Sequence, residues 1–374
     1  MKISPFQIER FFARYEFNAP YLLSSSDCEA LTIQQLLDLE EGAAEQFQQH
    51  WLGYTESQGS PTLRQAIATL YQSIDEKQIL VHAGAEEAIF TFMNAVLDKD
   101  DHIIVHFPCY QSLSEVARAI GCEITHWETR EEDSWELDLD SLRQSIKTNT
   151  KAIIINCPHN PTGYLMSKEK QQQIIEIARE HQCIVFSDEV YRGLEQNSDE
   201  MLPAACDLYE HAVSLGVMSK TFGLPGLRIG WVATQDTKIQ TSMAAFKDYL
   251  TICNSAPSEF LATVALRHKE EIMTRNQHII KENMRILVPF FATYQHLFHW
   301  IAPRASSIAF PRIRFEQDVE QFCANLVQKQ GVLLLPGTCY DFGNKHFRIG
   351  FGRKNMSECL EKLETYIKTE LPAS

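Results

Sequence analysis

Five short apolar runs, "QILVHAG", "HIIVHFP", "KAIIINCP", "CIVFSDE" and "HAVSLGVMS", recur between residues 78 and 219, and they restrict the fold more than any other feature. Each is dominated by Ile, Val or Leu and stops at Gly, Pro or a polar residue, which marks a buried strand. Segments of helical period, Glu86–Leu97, Ser112–Ile120 and Ser167–His181, separate or follow them. Strands apolar on both faces must be covered on both, and helical crossovers leave neighbouring strands parallel. The expected fold class is therefore α/β, with a large domain holding a mostly parallel sheet flanked by helices. From about Asn254 the pattern changes to long helical stretches and then to "SSIAFPRIRF", "GVLLLPG" and "HFRIGFG". A smaller α+β domain is expected there. The division predicted is residues 45–255 for the large domain, and 1–44 with 256–374 for the small one.

With 374 residues and 44% hydrophobic content, the chain exceeds what one compact core usually holds, so it can enclose a deep site. Its net charge of −15, with no basic stripe, argues against nucleic acid or an anionic membrane surface as partner. Ten cysteines without a C-x-x-C pair, no secretory leader pattern and no apolar run near the roughly 20 residues of a membrane span point to a cytoplasmic protein. No metal site is expected.

Polar residues at strand ends carry the chemistry, because ligands of open α/β sheets sit at the carboxyl ends of the strands. "CIVFSDEVY" runs into Asp188, with Tyr191 three positions on; a carboxylate there meets a cation or caps the next turn. "NCPHNPTG" places Asn160 in what is also an ordinary turn signal. "VHAGAEEAIF" sets Gly84 before a helix whose free N–H groups either hold a phosphate or form a plain βα turn. "VMSKTFGLPGLRIGW" carries Lys220, either a solvated lysine or a desolvated amine with a lowered pKa that acts as a carbonyl nucleophile. "GVMSKT" lacks the glycine of a P-loop, and no G-x-G-x-x-G follows a strand.

Together, "YTESQGSPTLR", "GAEEAIF", "FPCYQS", "NCPHNPTG", "SDEVYRG", "SKTFGLPGLRIGW", "LLLPGTCYDFG" and "HFRIGFGR" stand in the order and approximate spacing of the aminotransferase class I/II family, pyridoxal-phosphate enzymes of fold type I. The resemblance runs from about Tyr54 to the C-terminus. It implies that Lys220 forms the internal aldimine with pyridoxal 5'-phosphate and shuttles the proton. Asp188 resembles the aspartate on the pyridinium nitrogen, Asn160 and Tyr191 the donors to the 3′-oxygen, and Tyr110 the ring stacked on the pyridine. Gly84, Ala85, Glu86, Ser219 and Arg228 look like the phosphate cup. Arg348 is similar to the arginine that clamps the substrate α-carboxylate, with Asn160 beside it. Tyr54 is similar to the tyrosine that reaches the neighbouring subunit's phosphate, which implies a homodimer.

The activity implied is transfer of an amino group between an amino acid and a 2-oxo acid. A fold-type-I lyase or cyclising synthase is the alternative, and "FPRI" at Phe310–Ile313 is similar to the capreomycidine-synthase-like branch. A ligand-sensing domain of a transcriptional regulator would need a winged-helix segment before the family-like region. Three departures stand out: Val217 replaces a hydroxyl residue three before the lysine, Glu86 is acidic where many relatives are neutral, and "NAPYLLSSSDCEALTIQQLL" replaces a glycine-containing stretch. In that last segment the serines either hydrogen-bond a polar side chain or cap the helix that "EALTIQQLL" suggests, the cap by Ser26 or Asp27 being the expected one. Arg304, Arg312, Arg314 and Arg353 are candidates to read a second substrate carboxylate, with a surface or structural place the expected one. Phe17, Tyr21 and Tyr340 either line a hydrophobic pocket or fill the small-domain core.

Overall fold

The computed structural model describes residues 2–371. Seven strands form its main sheet: β1 (Ile79–His82), β2 (His102–Phe107), β3 (Glu123–Glu128), β4 (Thr150–Asn156), β5 (Ile184–Asp188), β6 (Ala212–Val217) and β7 (Gly230–Thr234). Their spatial order is β1-β7-β6-β5-β4-β2-β3, with β7 antiparallel to both neighbours and the other pairs parallel. All five expected strands are present; β3 and β7 are additional. β3 reads as "EITHWE", a half-exposed edge strand without a continuous apolar run, and β7 is a short "GWVAT" behind a turn.

The apolar runs are continuous because successive residues enter different cores. Ile103, Val105, Ile154 and Phe186 face one cluster, while Ile104, Ile153, Ile155 and Val185 face the other. Helix Ala85–Val96 covers the first face, burying Ile89, Phe92 and Met93, with the Phe92 and Phe186 rings 4.5 Å apart. Each such side chain contributes roughly 1.5–3 kcal/mol of burial. Helix Lys168–Glu180 covers the second with Ile174, Ile175 and Ile177, and starts at Ser167, whose hydroxyl accepts from the Lys170 N–H.

The C-terminal part combines the helices Ala256–Arg267, Lys269–Thr293, Val319–Gln330 and Met356–Glu370 with short strands. Phe347–Gly350 runs between Ile308–Ala309 and Leu335–Pro336, antiparallel to both. Near the N-terminus, Tyr21–Leu22 pairs in parallel with Val332–Leu333. The following residues form a strap along the strand Phe347–Gly350: the Gly350 N–H donates to the Leu23 carbonyl at 2.8 Å and the Glu29 N–H to the Gly352 carbonyl at 2.8 Å. A side chain at position 350 would overlap the Ser25 carbonyl, so only glycine lets the strap lie this close.

That strap corrects the expected helix cap. The helix here is Ile33–Leu37, and Thr32 caps it, in a reciprocal pair with Gln35. Asp27 instead pairs with Arg353, and Ser26 turns inward. The aromatic expectations divide similarly: Phe17 is 91% exposed and neither lines a pocket nor fills a core, Tyr21 packs against the first core, and Tyr340 is buried beside Arg348. No described helix is long and apolar enough to cross a membrane.

Candidate active site

A cavity of about 490 Å³ opens at the carboxyl ends of the parallel strands. Its wall includes Ala85, Glu86, Tyr110, Asn160, Asp188, Tyr191, Ser219, Lys220, Arg228 and Arg348, ten residues the sequence singles out. Each arrives on the segment that leaves a strand: Tyr110 after β2, Asn160 after β4, Asp188 at the end of β5, and Lys220 after β6. Gly84 backs the cavity rather than lining it. Its φ is +94°, and a side chain there would collide with the Arg228 guanidinium, so glycine brings helix and arginine together. Tyr54 lies elsewhere, 87% exposed on the surface.

Asp188 ends its strand buried, with its carboxylate accepting only the Val190 N–H at 3.2 Å among the described residues. Burial pushes its pKa up to about 7, against the opposing pull of that N–H and of Lys220. Burial likewise brings the Lys220 amine down to about 8, although Asp27 works to raise it. Its Nζ donates to Ser26 Oγ at 2.7 Å and lies 5.9 Å from the centre of the Tyr191 ring. The Tyr191 hydroxyl is buried and has no hydrogen-bond partner among the described residues. A buried unpaired hydroxyl costs about 1–3 kcal/mol, so this one calls for an acceptor or donor from a ligand.

Helix Ala85–Val96 points its N-terminus at the cavity with no side chain capping it. Free N–H groups, the helix dipole, the Ser219 hydroxyl and the Arg228 guanidinium form an anion cradle. Glu86 is the exception in sign. Burial raises its pKa to about 7, against the opposing pull of the Ser112 hydroxyl that donates to it at 3.0 Å, so it can take up a proton rather than repel an anion. Val217 also lines the cavity and brings no hydroxyl to the cradle.

Arg348 is buried in the wall of the same cavity. Its Nη2 donates to the Ser24 carbonyl at 2.8 Å, and its Nη1 to the Tyr340 hydroxyl at 2.6 Å and to Asn160 Oδ1 at 3.3 Å. Held on two sides through Nε, Nη1 and Nη2, the guanidinium is a positionally fixed cation in the cavity wall.

Several functional positions escaped the sequence reading. Asn156 ends β4 as Asp188 ends β5, and that parallel was a usable signal. Its amide donates to the Asp188 carbonyl at 3.0 Å and its Oδ1 accepts from the Asn160 N–H at 2.7 Å, tying two site residues together. Behind them His159 bridges Thr162 and the Pro108 carbonyl and stacks on His106 at 3.7 Å, with burial holding its pKa well below the usual range. Arg353 was expected on the surface or in a structural role; it lines the cavity, paired with Asp27 at 2.9 Å. Glu9, Phe12 and Glu16, from the N-terminal helix Gln7–Tyr15 and its last cap, complete the wall.

Comparison with known proteins places this site in a family. The chain is 29% identical over 296 residues to capreomycidine synthase of Streptomyces vinaceus, covering 79% of this chain and 75% of that one. It is 26% identical over 347 residues to the aspartate aminotransferase of Pyrococcus horikoshii, covering 89% and 88%. Among solved structures, a PLP-dependent aminotransferase from Streptococcus suis superposes with a TM-score of 0.94 at 32% identity over the whole of both chains. A PLP-dependent cyclase, OrfR, superposes with a TM-score of 0.91 at 28% identity over 98% of each. The family model for aminotransferase class I and II matches residues 21–363, so the chain belongs to that family.

Proposed function

We propose that this protein is a pyridoxal-phosphate-dependent aminotransferase that moves an amino group between an amino acid and a 2-oxo acid. The observation that carries the reading is the meeting in one cavity of Lys220, with its lowered pKa, the buried Asp188 carboxyl and the fixed Arg348 guanidinium. Pyridoxal phosphate fits the residues present. The uncapped helix with Ser219 and Arg228 would hold its phosphate, Asp188 its ring nitrogen, the unpartnered Tyr191 hydroxyl and Asn160 its phenolic oxygen, and Tyr110 a ring face. When bound, the group supplies an electron-poor ring that accepts the electron pair released at the substrate Cα.

The chain's own part is proton handling and orientation. Arg348 fixes the α-carboxylate, which limits the poses open to the Cα bonds. An amine with a pKa near 8 is partly unprotonated at neutral pH, so Lys220 can take a proton from Cα and return it to an adjacent carbon. The Asp188 carboxylate would hold a proton on the ring nitrogen. Ser26 holds the lysine Nζ on the cavity side while it carries the proton.

A second reading rests on two relatives. Capreomycidine synthase and the OrfR cyclase support elimination or ring closure from the same bound state. A homodimer follows from the same family reading. The exposed Trp51, Leu52, Tyr54, Tyr249 and Ile252, on segments joined by the Thr55 hydroxyl and the Asn254 carbonyl at 3.1 Å, offer the apolar face for it. Tyr54 would then serve the partner's cradle.

The test is to add single amino acids, without any oxo acid, to the cofactor-loaded protein and follow absorbance and products. An aminotransferase consumes the visible band and releases one 2-oxo acid per site, then stops. Repeated turnover with the band intact, yielding ammonia or a cyclic product, would establish the second reading instead.

A further inference from the structure

Helix Thr237–Lys247 packs along the cradle helix Ala85–Val96, with the Phe246 and Phe90 rings 6.4 Å apart, and it ends in a lysine that has no access to solvent. The Lys247 ammonium donates to the carbonyls of Ser57 and of Ile252, the latter at 3.2 Å. It thereby ties together two loops far apart in sequence, the one that carries Tyr54 and the one formed by residues 248–254, which the Thr55 hydroxyl and the Asn254 carbonyl also join. A buried ammonium gives up its hydration here for two uncharged acceptors, which is unfavourable unless an anion answers it.

That anion stands in the first turn of the cradle helix. Glu87 lies two residues beyond Ala85, and its Oε2 accepts the Ala83 N–H at 2.5 Å. Burial works to raise its pKa, but the His82 ring, that N–H and the Thr251 hydroxyl bring it down to about 2, so Glu87 keeps its charge. An anion fixed beside a phosphate site weakens that site. His82, fully buried with its Nδ1 3.6 Å from Glu87, does not offset the charge, because burial lowers the His82 pKa and leaves the ring neutral near pH 7. Lys247 does offset it. Burial lowers the pKa of its ammonium, and Glu87 is the carboxylate that acts most strongly to raise it. Lys247 forms no direct ion pair among the described residues, so it answers Glu87 through the low-dielectric interior.

We infer that Lys247 is a positioning residue of the anion cradle: it offsets the fixed Glu87 charge, holds the loop that carries Thr251 against the helix start, and so sets how tightly the cradle grips a phosphate. This rests on the pyridoxal-phosphate reading of the cavity and adds to it the residue that tunes its phosphate end. Lys247 itself lies outside the cavity wall and acts only through its neighbours. The bond that breaks at Cα is a separate matter, so transfer and cyclisation are both compatible with this role.

The test compares the dissociation constants of pyridoxal 5'-phosphate and pyridoxal, which differ in the phosphate, read from the visible absorbance that each gains on the full-length protein. The ratio of the two reports on the cradle, because a general loosening of the site weakens both alike. In Lys247→Met, which keeps an apolar stem without the charge, the preference for the phosphate form is expected to fall about tenfold or more. Glu87→Gln, which still accepts the Ala83 N–H, should raise that preference about threefold or more by itself, and should restore most of the loss when combined with Lys247→Met. The single Glu87→Gln variant leaves the buried lysine in place, so it carries the test if Lys247→Met does not fold. A preference unchanged within about twofold in either single variant overturns the inference and leaves the cofactor reading standing. A wild-type protein that binds pyridoxal as tightly as its phosphate, or binds neither, overturns both.

Discussion

Replacing Asp188 by asparagine separates what the carboxyl costs from what it does. In the unfolded chain it titrates at its ordinary value of 3.8, whereas in the fold burial moves it to about 7. Above about pH 7 the cofactor-free protein must hold a desolvated anion, and the penalty is fully present. As pH falls from there to about 4 the folded protein takes up the proton first, and the penalty disappears. Three pH units at about 1.4 kcal/mol each give about 4 kcal/mol at pH 8, falling to about 2 kcal/mol at pH 5. An asparagine has no such charge. The cofactor-free Asp188→Asn protein should therefore gain about 2–3 kcal/mol relative to wild type between pH 5 and pH 8. Urea unfolding of the two proteins at several pH values measures it. Loading the cofactor should reverse the order, because the carboxylate then meets a cation, and Asp188→Asn should lose turnover. A stability difference independent of pH would refute the assignment of a strained, desolvated carboxyl at this position.

Three further outcomes follow from neighbouring contacts. Ser26→Ala removes the acceptor that holds the Lys220 ammonium at 2.7 Å, so the lysine pKa should fall by about one unit and the pH–rate profile should shift to lower pH on that limb. Tyr191→Phe removes an unpartnered buried hydroxyl, and should stabilise the cofactor-free protein by about 1 kcal/mol in denaturant melts while weakening cofactor retention in dialysis. Asn156→Ala leaves the Asn160 N–H without its partner and the Asp188 carbonyl with the Cys157 N–H alone, and should cost about 1–3 kcal/mol in the same melts and slow turnover by displacing Asn160.

The parts of the site legible in the sequence are those where a polar residue interrupts a local apolar pattern. Asp188 ends a run of buried Ile, Val and Phe, and Lys220 follows one of Val, Leu and Met, so each stands out against its segment. Glu9, Glu16 and Ser26 gave no such signal, since on their own segments they read as an ordinary solvated helix face and a serine cluster. They become site residues only through contacts that span the chain, Ser26 lying 194 residues from its lysine. For the fold the division is similar. Strands buried on both faces declare themselves, whereas β3, exposed along one edge, alternates too weakly to be read.

The strap from Leu23 to Glu29 has a consequence for how the protein is made. It leaves the ribosome before the seven strands, whereas its anchors, Arg348, Gly350, Gly352 and Arg353, follow them, 324 residues away in the case of Ser24 and Arg348. The seven strands are all synthesised by Thr234, long before that closure is possible. A nascent chain can thus display the lysine, the aspartate and the anion cradle while its carboxylate clamp and the seat of Ser26 are still missing. On the proposed reading, a hold on the substrate carboxylate arrives only with the segment that carries Arg348, so a chain stopped before it would capture cofactor without handling substrate.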